Sequence, residues 1–328
     1  MNRRLQHIIL SFLLISAVVI SVVFLYNMDT SSGYVKRFKT LNKNYDFINL
    51  GTSHGSDFIY SVYGINGKAF NWEANTIYYD LQDYKYLKPQ LNKGAVIIIP
   101  LSYFSFGLDE NRTDKGEDNG FDNQFYHFLP VKNIHDYSAK KNIKVFIQEA
   151  KKNYFGFFEQ FSTVEKKKVE KGKDIDIEKA KAKKLKYLAY SSKINVKHHK
   201  IIGTYADSEV NIGYLSNLIK DAIDSGYKPV LVTTPYYSAY NKGFGEQWLD
   251  EHYYKNLLVV KEEFDIPYFN YSTDNRFDSN PDLFRNSDHL NQKGRKYFSK
   301  IFFQDLAKAG LVDKRLNYNI PMDTIKLK

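Results

Sequence analysis

The chain has 328 residues, with 47 Lys and Arg against 37 Asp and Glu for a formal charge of +10, and no cysteine. That length supports one large domain with appendages or two small ones. The missing thiols exclude disulfide frameworks, thiolate metal sites and cysteine nucleophiles, and leave the redox compartment open.

From the N-terminus, HIILSFLLISAVVISVVFLY, His7 to Tyr26, contains no Asp, Glu, Lys or Arg and is long enough to cross a bilayer as a helix. A secretory signal is the competing reading, but its apolar region is normally shorter and ends in a small-x-small cleavage site, where this chain continues VVFLYNMDTSS. The expectation is an uncleaved anchor over residues 1–27 and a linker over 28–45. Arg3 and Arg4 before the helix nearly balance Lys36, Arg37 and Lys39 after it, so the positive-inside rule leaves orientation close to a tie. The body is expected outside, because the six-residue tail is the smaller piece to leave inside.

Residues 46–312 then read as one domain, with 313–328 as a tail. YDFINL is a short strand leading into the turn GTSHG, and DFIYSVYGI is expected to start a helix. GAVIIIPL, Gly94 to Leu101, is a β-branched apolar run suited to a strand buried on both faces of a parallel sheet. IGYLSNLIKDAIDSGY has helical spacing and closes at Gly226, and the strand KPVLVTTPYY follows. NLLVVKEEF with IPYFNY repeats that pattern, and HLNQKGRKYFSKIFFQDLAKAG is a last helix ending at Gly310. Strands alternating with helices indicate an α/β fold with a mainly parallel sheet.

Between these halves, residues 138–192 are lysine-rich, including EKKKVEKGKDIDIEKAKAKKLK. An exposed helical insertion with a flexible middle near Gly172 is expected. Its alternative role is a contact surface for anionic lipid headgroups or phosphate-bearing polymers. No nucleic-acid motif is present, and no nucleic-acid partner is expected. The histidines show no HExxH spacing, and DENRTDKGEDNGFD departs from the EF-hand loop at its glycine and terminal glutamate, so no metal or other cofactor is implied.

In open parallel sheets, ligands collect beyond the carboxyl ends of the strands. Ser53 lies at such an end, as does Thr234, and RNSDHLNQKG comes just before the last helix. A serine hydroxyl is a weak nucleophile until a base stands within hydrogen-bond reach. His289 is the outstanding candidate for that base, while a helix cap or turn hydroxyl is the alternative role for Ser53. His54 is expected only to line the site or cap a turn.

With GTSHG after the first strand and SDHLNQKGR ahead of the C-terminal helix, the sequence resembles the SGNH (GDSL-type) hydrolase superfamily. It is closer to the membrane-anchored branch, which includes the D-alanyl transfer protein of teichoic-acid modification and envelope-polysaccharide O-acyltransferases. The resemblance covers most of residues 45–310 outside the lysine-rich insertion. It implies a three-layer αβα sandwich, with Ser53 as nucleophile and oxyanion donor and His289 as base. It also implies Gly67, with Asn71 near it, in the second family block. Two positions depart from the pattern. Ser102 or Tyr103 stands about where an oxyanion asparagine is usual, and Asn286 stands three residues before His289 where an aspartate is usual, with Asp288 adjacent to the histidine. Either Asn286 completes a Ser-His-Asn site, or Asp288 or another nearby acid substitutes, or the protein is catalytically weak. The implied function is extracytoplasmic acyl transfer or ester hydrolysis at the cell membrane. The partners would be an acyl donor, an envelope polymer and a membrane-bound O-acyltransferase. A non-catalytic scaffold that binds anionic wall polymer or a membrane acyl-exporter is the alternative.

Overall fold

Five parallel strands form one sheet in the order β2–β1–β3–β4–β5, with β1 at Tyr45–Asn49, β2 at Gly67–Ala69, β3 at Leu91–Pro100, β4 at Lys228–Thr233 and β5 at Tyr268–Asn270. This computed structural model describes residues 3–27, 37–38, 40–73, 75–108, 121–148, 151 and 177–312. Two compact parts divide the chain: residues 1–41 with 120–173, and residues 42–119 with 174–328.

The smaller part begins with helix α1, Arg3–Asn27, which is long and apolar enough to span a membrane. Its apolar side chains, such as Leu10, Phe12 and Leu14, are exposed rather than packed, as expected of a helix whose solvent is lipid. In the same part the Phe38 and Phe128 rings stack 4.1 Å apart. The run from 152 to 176, the middle of the lysine-rich segment with the stretch around Gly172, lies outside the described residues, as does the tail from 313.

The larger part contains the sheet, and its layers follow from strand alternation. Phe47, Val96, Ile98, Val230 and Val232 face one way and form a single core with Phe298, Phe302, Phe303 and Leu306 of the last helix, α7, Gln292–Lys308. Ile48, Ile97, Ile99 and Leu231 alternate with them and are equally buried. On that second face α4, Ser208–Asp224, packs against β4 and between α2, Ile77–Leu87, and α6, Lys255–Glu263. A strand covered on both faces must be apolar throughout, which is why β3 reads AVIII without alternation. The fold is therefore a three-layer α/β sandwich with a parallel sheet.

Two other elements complete the frame, α3 at Ile177–Ile202 and α5 at Ser238–Phe244, together with the short antiparallel pair β6, Phe284–Asn286, and β7, His289–Leu290. The stretch DFIYSVYGI does not start a helix. It forms only a tight turn over Ser61–Tyr63 before the chain reverses at Gly64, because Tyr60 is drawn inward to donate its hydroxyl to Asn49 Oδ1 at 2.9 Å. The lysine-rich stretch also differs from a solvated insertion where it is described. Leu188, Ser191 and Ser192 are buried, and α3 continues past residue 192 to Ile202 as part of the larger unit.

Candidate active site

The strand order reverses direction between β1 and β3, and at such a switch point the loops leaving two neighbouring strands diverge and open a crevice. The loop after β1 contains Ser53 and the loop after β3 contains Ser102. Gly51 turns the chain out of β1 with φ +93°, a left-handed conformation that side chains other than glycine rarely adopt. Its N–H donates to Asp80 Oδ1 at 2.7 Å, an oxygen that also accepts from Asn75 Nδ2 at 2.7 Å. Thr52 caps a short 3-10 turn over Ser53–Asp57, and Asn49 Nδ2 donates to Gly55 O at 2.9 Å to tie the turn back to its strand.

Gly55 is needed because the turn is crowded there. A Cβ at this position would stand 2.4 Å from Asn71 Cβ, 2.5 Å from Leu50 O and 2.8 Å from Asn49 Nδ2. None of these can swing away, so Gly55→Ala is expected to cost about 3 kcal/mol or more as an overpacking defect. A thermal melt followed by circular dichroism should move down on the order of 10 °C, and an unshifted melt would contradict the packing described.

The Ser53 hydroxyl lies 2.8 Å from His289 Nε2. Two residues meet the other ring nitrogen: Asn286 Oδ1 is 3.1 Å from Nδ1, and Asp288 Oδ2 is 3.2 Å from it. The Asn286 oxygen also accepts from the backbone N–H of His289 at 2.9 Å. A backbone N–H can only donate, so the atom facing it must be the amide oxygen and not the nitrogen. That same oxygen facing Nδ1 requires a proton on Nδ1, and Nε2 is left as the acceptor for the serine proton. The tautomer needed by a general base is thus built in.

Asp288 supplies charge. It is buried, and its second oxygen accepts from Asn195 Nδ2 at 2.6 Å. Burial alone would push its carboxyl up, but the His289 imidazole beside it, by charge and by hydrogen bond, with His54 and His199 further off, holds it well below the usual carboxylate range. The reverse holds for His289: burial lowers it, and the Asp288 charge and hydrogen bond, aided by Asp57, outweigh burial and raise it above the ordinary 6.5. A carboxylate that stays ionised beside an imidazole made more basic is the pairing that a proton-accepting histidine needs.

Several contributors escaped the sequence reading. His54, expected only to line the site or cap a turn, is buried and stacks on His289 with ring centroids 4.6 Å apart and planes 11° from parallel. Its Nε2 is 3.8 Å from Asp288 Oδ2. Burial and the neighbouring His289 push its pKa well down, so the ring stays neutral and does not oppose a positive charge forming on His289. Asp57, four residues after Ser53, is buried with neither carboxylate oxygen hydrogen-bonded among the described residues, and burial pushes it up to about 7. Helix α3 supports the base loop from behind: Ser191 Oγ accepts from Ser287 N at 3.1 Å, Lys184 Nζ donates to Phe284 O at 2.7 Å, and Asn195 holds Asp288. No local motif around Asn195 signals this role.

The remaining expected positions are placed unequally. Asn71 follows β2 at the carboxyl edge of the sheet, buried against Gly55 and held between Phe70 N→Asn49 O and Trp72 N→Gly51 O. Gly67 is at the other end of β2, paired beside Phe47, and a Cβ there would run into the Tyr60 ring at 2.4 Å. It is a packing glycine away from the strand end where Ser53 emerges, which corrects its expected place in the oxyanion site. Ser102 is buried with its hydroxyl 3.3 Å from Thr52 Oγ1, and so supports the residue before Ser53. Thr234 is buried after β4.

His54, Asp288 and His289 bring three potential ligand atoms within 4.8 Å of one another, but the geometry disfavours a metal. A cation bound to imidazole sits in the ring plane, and with two nearly parallel stacked rings a cation in one plane is out of the other. His289 Nδ1 is, in addition, already a donor. The set suits proton transfer.

The chain matches no protein-family model, and no curated protein sequence matches it. Among solved structures it is similar to a "putative acylhydrolase" from Bacteroides fragilis, with 12% identity, a TM-score of 0.39 and coverage of 88% of this chain and 98% of that one. It is also similar to a GDSL-like lipase from Bacteroides thetaiotaomicron, with 11% identity, a TM-score of 0.39 and coverage of 87% and 99%. At such low identity, function has to be read from the side chains of the site.

Proposed function

We propose that the protein is a serine-dependent acyl-transfer enzyme of SGNH type, acting as an esterase or O-acyltransferase. The observation that supports this is the continuous contact Ser53 Oγ–His289 Nε2 at 2.8 Å with buried Asp288 behind the ring. Ser53 Oγ attacks the acyl carbonyl while its proton passes to Nε2. The tetrahedral oxyanion is met by the Ser53 backbone N–H at the start of the 3-10 turn, with the Asn71 amide as second donor. Collapse breaks the bond to the leaving group, which takes the proton from His289 and leaves an ester on Ser53. An incoming hydroxyl then loses its proton to His289 as it attacks the ester, and collapse breaks the acyl bond to Ser53 Oγ, which takes that proton back from Nε2 while the acyl group leaves on the acceptor.

Helix α1 would anchor the enzyme as a single span, with residues 28–45 as linker and the larger part outside the cytoplasm. An acyl donor there would be met at the membrane face, with a membrane-bound O-acyltransferase as supplier and an envelope polymer such as teichoic acid or polysaccharide as acceptor. Transfer rather than hydrolysis follows from that tethering, since a polymer hydroxyl held near the ester competes with water through effective concentration.

The test is labelling of the full-length protein by a serine-reactive phosphonate, with the modified peptide identified by mass spectrometry. The label should fall on Ser53. Its rate should rise with pH through a midpoint above 6.5, because below the raised His289 value the ring is protonated and cannot accept the serine proton. Asp57, losing its proton near 7, adds negative charge beside the ring over the same range. A folded protein that takes no label would support the scaffold reading instead.

A further inference from the structure

Helix α3 holds the loop carrying His289 with its inner face and leaves an outer face that is exposed among the described residues. Over Ile177–Ile202 the sequence has Lys179, Lys181, Lys183, Lys184, Lys186, Lys193, Lys197 and Lys200 against the single acid Glu178. Two rows run along the exposed side. Tyr187, Tyr190, Ile194 and Ile201 follow at spacings of three, four and seven residues, which puts them on one helical face. They are 48, 64, 46 and 47% exposed. Lys183, Lys186, Lys193 and Lys197 follow at three, seven and four, also exposed, and form the adjacent row.

We infer that this face of α3 docks on an anionic lipid surface. Lysines alone would serve any polyanion, and tyrosine rings could also stack on sugars, but a hydrated polymer makes little use of the exposed aliphatic Ile194 and Ile201 in the same row. A bilayer interface rewards both rows: phosphate headgroups attract the ammonium groups, and the boundary below them accepts aliphatic side chains and tyrosine rings. The same chain carries a helix able to span a membrane; with that helix as the anchor proposed above, the surface is at high effective concentration and weak docking suffices. Because Lys184 and Asn195 on the inner side hold Phe284 and Asp288, one rigid element joins the lipid contact to the base loop. This inference does not depend on the catalytic reading.

The absence of cysteine allows a clean test. Full-length Tyr190→Cys, labelled with a polarity-sensitive fluorophore, is reconstituted in nanodiscs of phosphatidylcholine with or without phosphatidylglycerol. The expected result is a blue shift and brighter emission in the anionic discs only, reversed by high salt. Combining K186E, K193E and K197E with the label should abolish the shift, with circular dichroism confirming the fold. The same label at Lys220→Cys on α4 should not respond. Equal emission in both lipids, or an equal response at position 220, overturns the inference. So does a response to soluble inorganic polyphosphate in neutral discs that matches the response to anionic lipid, since that would assign the face to a polymer.

Discussion

Ser53→Ala is expected to lower turnover of a small acyl ester by about a million-fold, the scale seen when a nucleophilic serine working with a base is removed. The loss should fall on the rate constant with little change in substrate affinity, because the hydroxyl acts in the transition state and not in ground-state binding. Fold should be unaffected. Among the described residues the Ser53 side chain hydrogen-bonds to His289, while the turn it sits on is held by Thr52, Asn49 and Gly55. Phosphonate labelling should vanish in parallel. Retention of even about a tenth of the rate by a folded variant would mean that another nucleophile, or water activated by His289, does the chemistry.

The parts of this site legible in the sequence are those set by local rules. YDFINL followed by GTSHG had to be a buried strand and a tight turn, because only that arrangement reconciles an apolar run with two glycines, and it put Ser53 at a carboxyl edge. His289 stood out because SDHLNQKG precedes a helix start, and Asn291 does cap that helix through Gly294 N at 3.0 Å. Gly67 was misplaced because β2 is three residues long and its GKA carries no apolar pattern to fix its register; the carboxyl edge lies beyond Ala69, where Asn71 stands. The inner face of α3 was hidden by its own lysines. Leu188, Ser191, Asn195 and Val196 lie toward the base loop or are buried, but the charge run dominates any reading of that stretch. The stacking of His54 on His289 depends on distant segments meeting side by side, which no spacing within either segment encodes.

The choice between Asn286 and Asp288 was open in sequence for a similar reason: the β6–β7 reversal pairs Asn286 with His289, and both side chains reach Nδ1. Their chemistry separates them. The amide oxygen of Asn286 fixes the tautomer but brings no charge, whereas Asp288 would offset the positive charge that His289 acquires in the proposed transfer of the serine proton. Asp288→Asn, which removes the charge while Asn286 still fixes the tautomer, is therefore expected to cost on the order of a hundred-fold in turnover. Its single carbonyl oxygen would have to serve either the Asn195 Nδ2 or the His289 Nδ1–H, and the amide NH2 would face whichever donor is left. The pH midpoint should fall as well, since Asp288 is the main group holding His289 up. Asn286→Ala should cost only about ten-fold and leave the midpoint nearly in place, because Asp288 Oδ2 at 3.2 Å still accepts from Nδ1. Asn286→Asp should not improve the enzyme, because two carboxylates on one imidazole nitrogen repel and one of them takes up a proton. The measurement is the pH–rate profile of all three variants on one small ester. A larger loss in Asn286→Ala than in Asp288→Asn would transfer the third role to the amide, and no loss in either would reduce the site to a Ser53–His289 dyad.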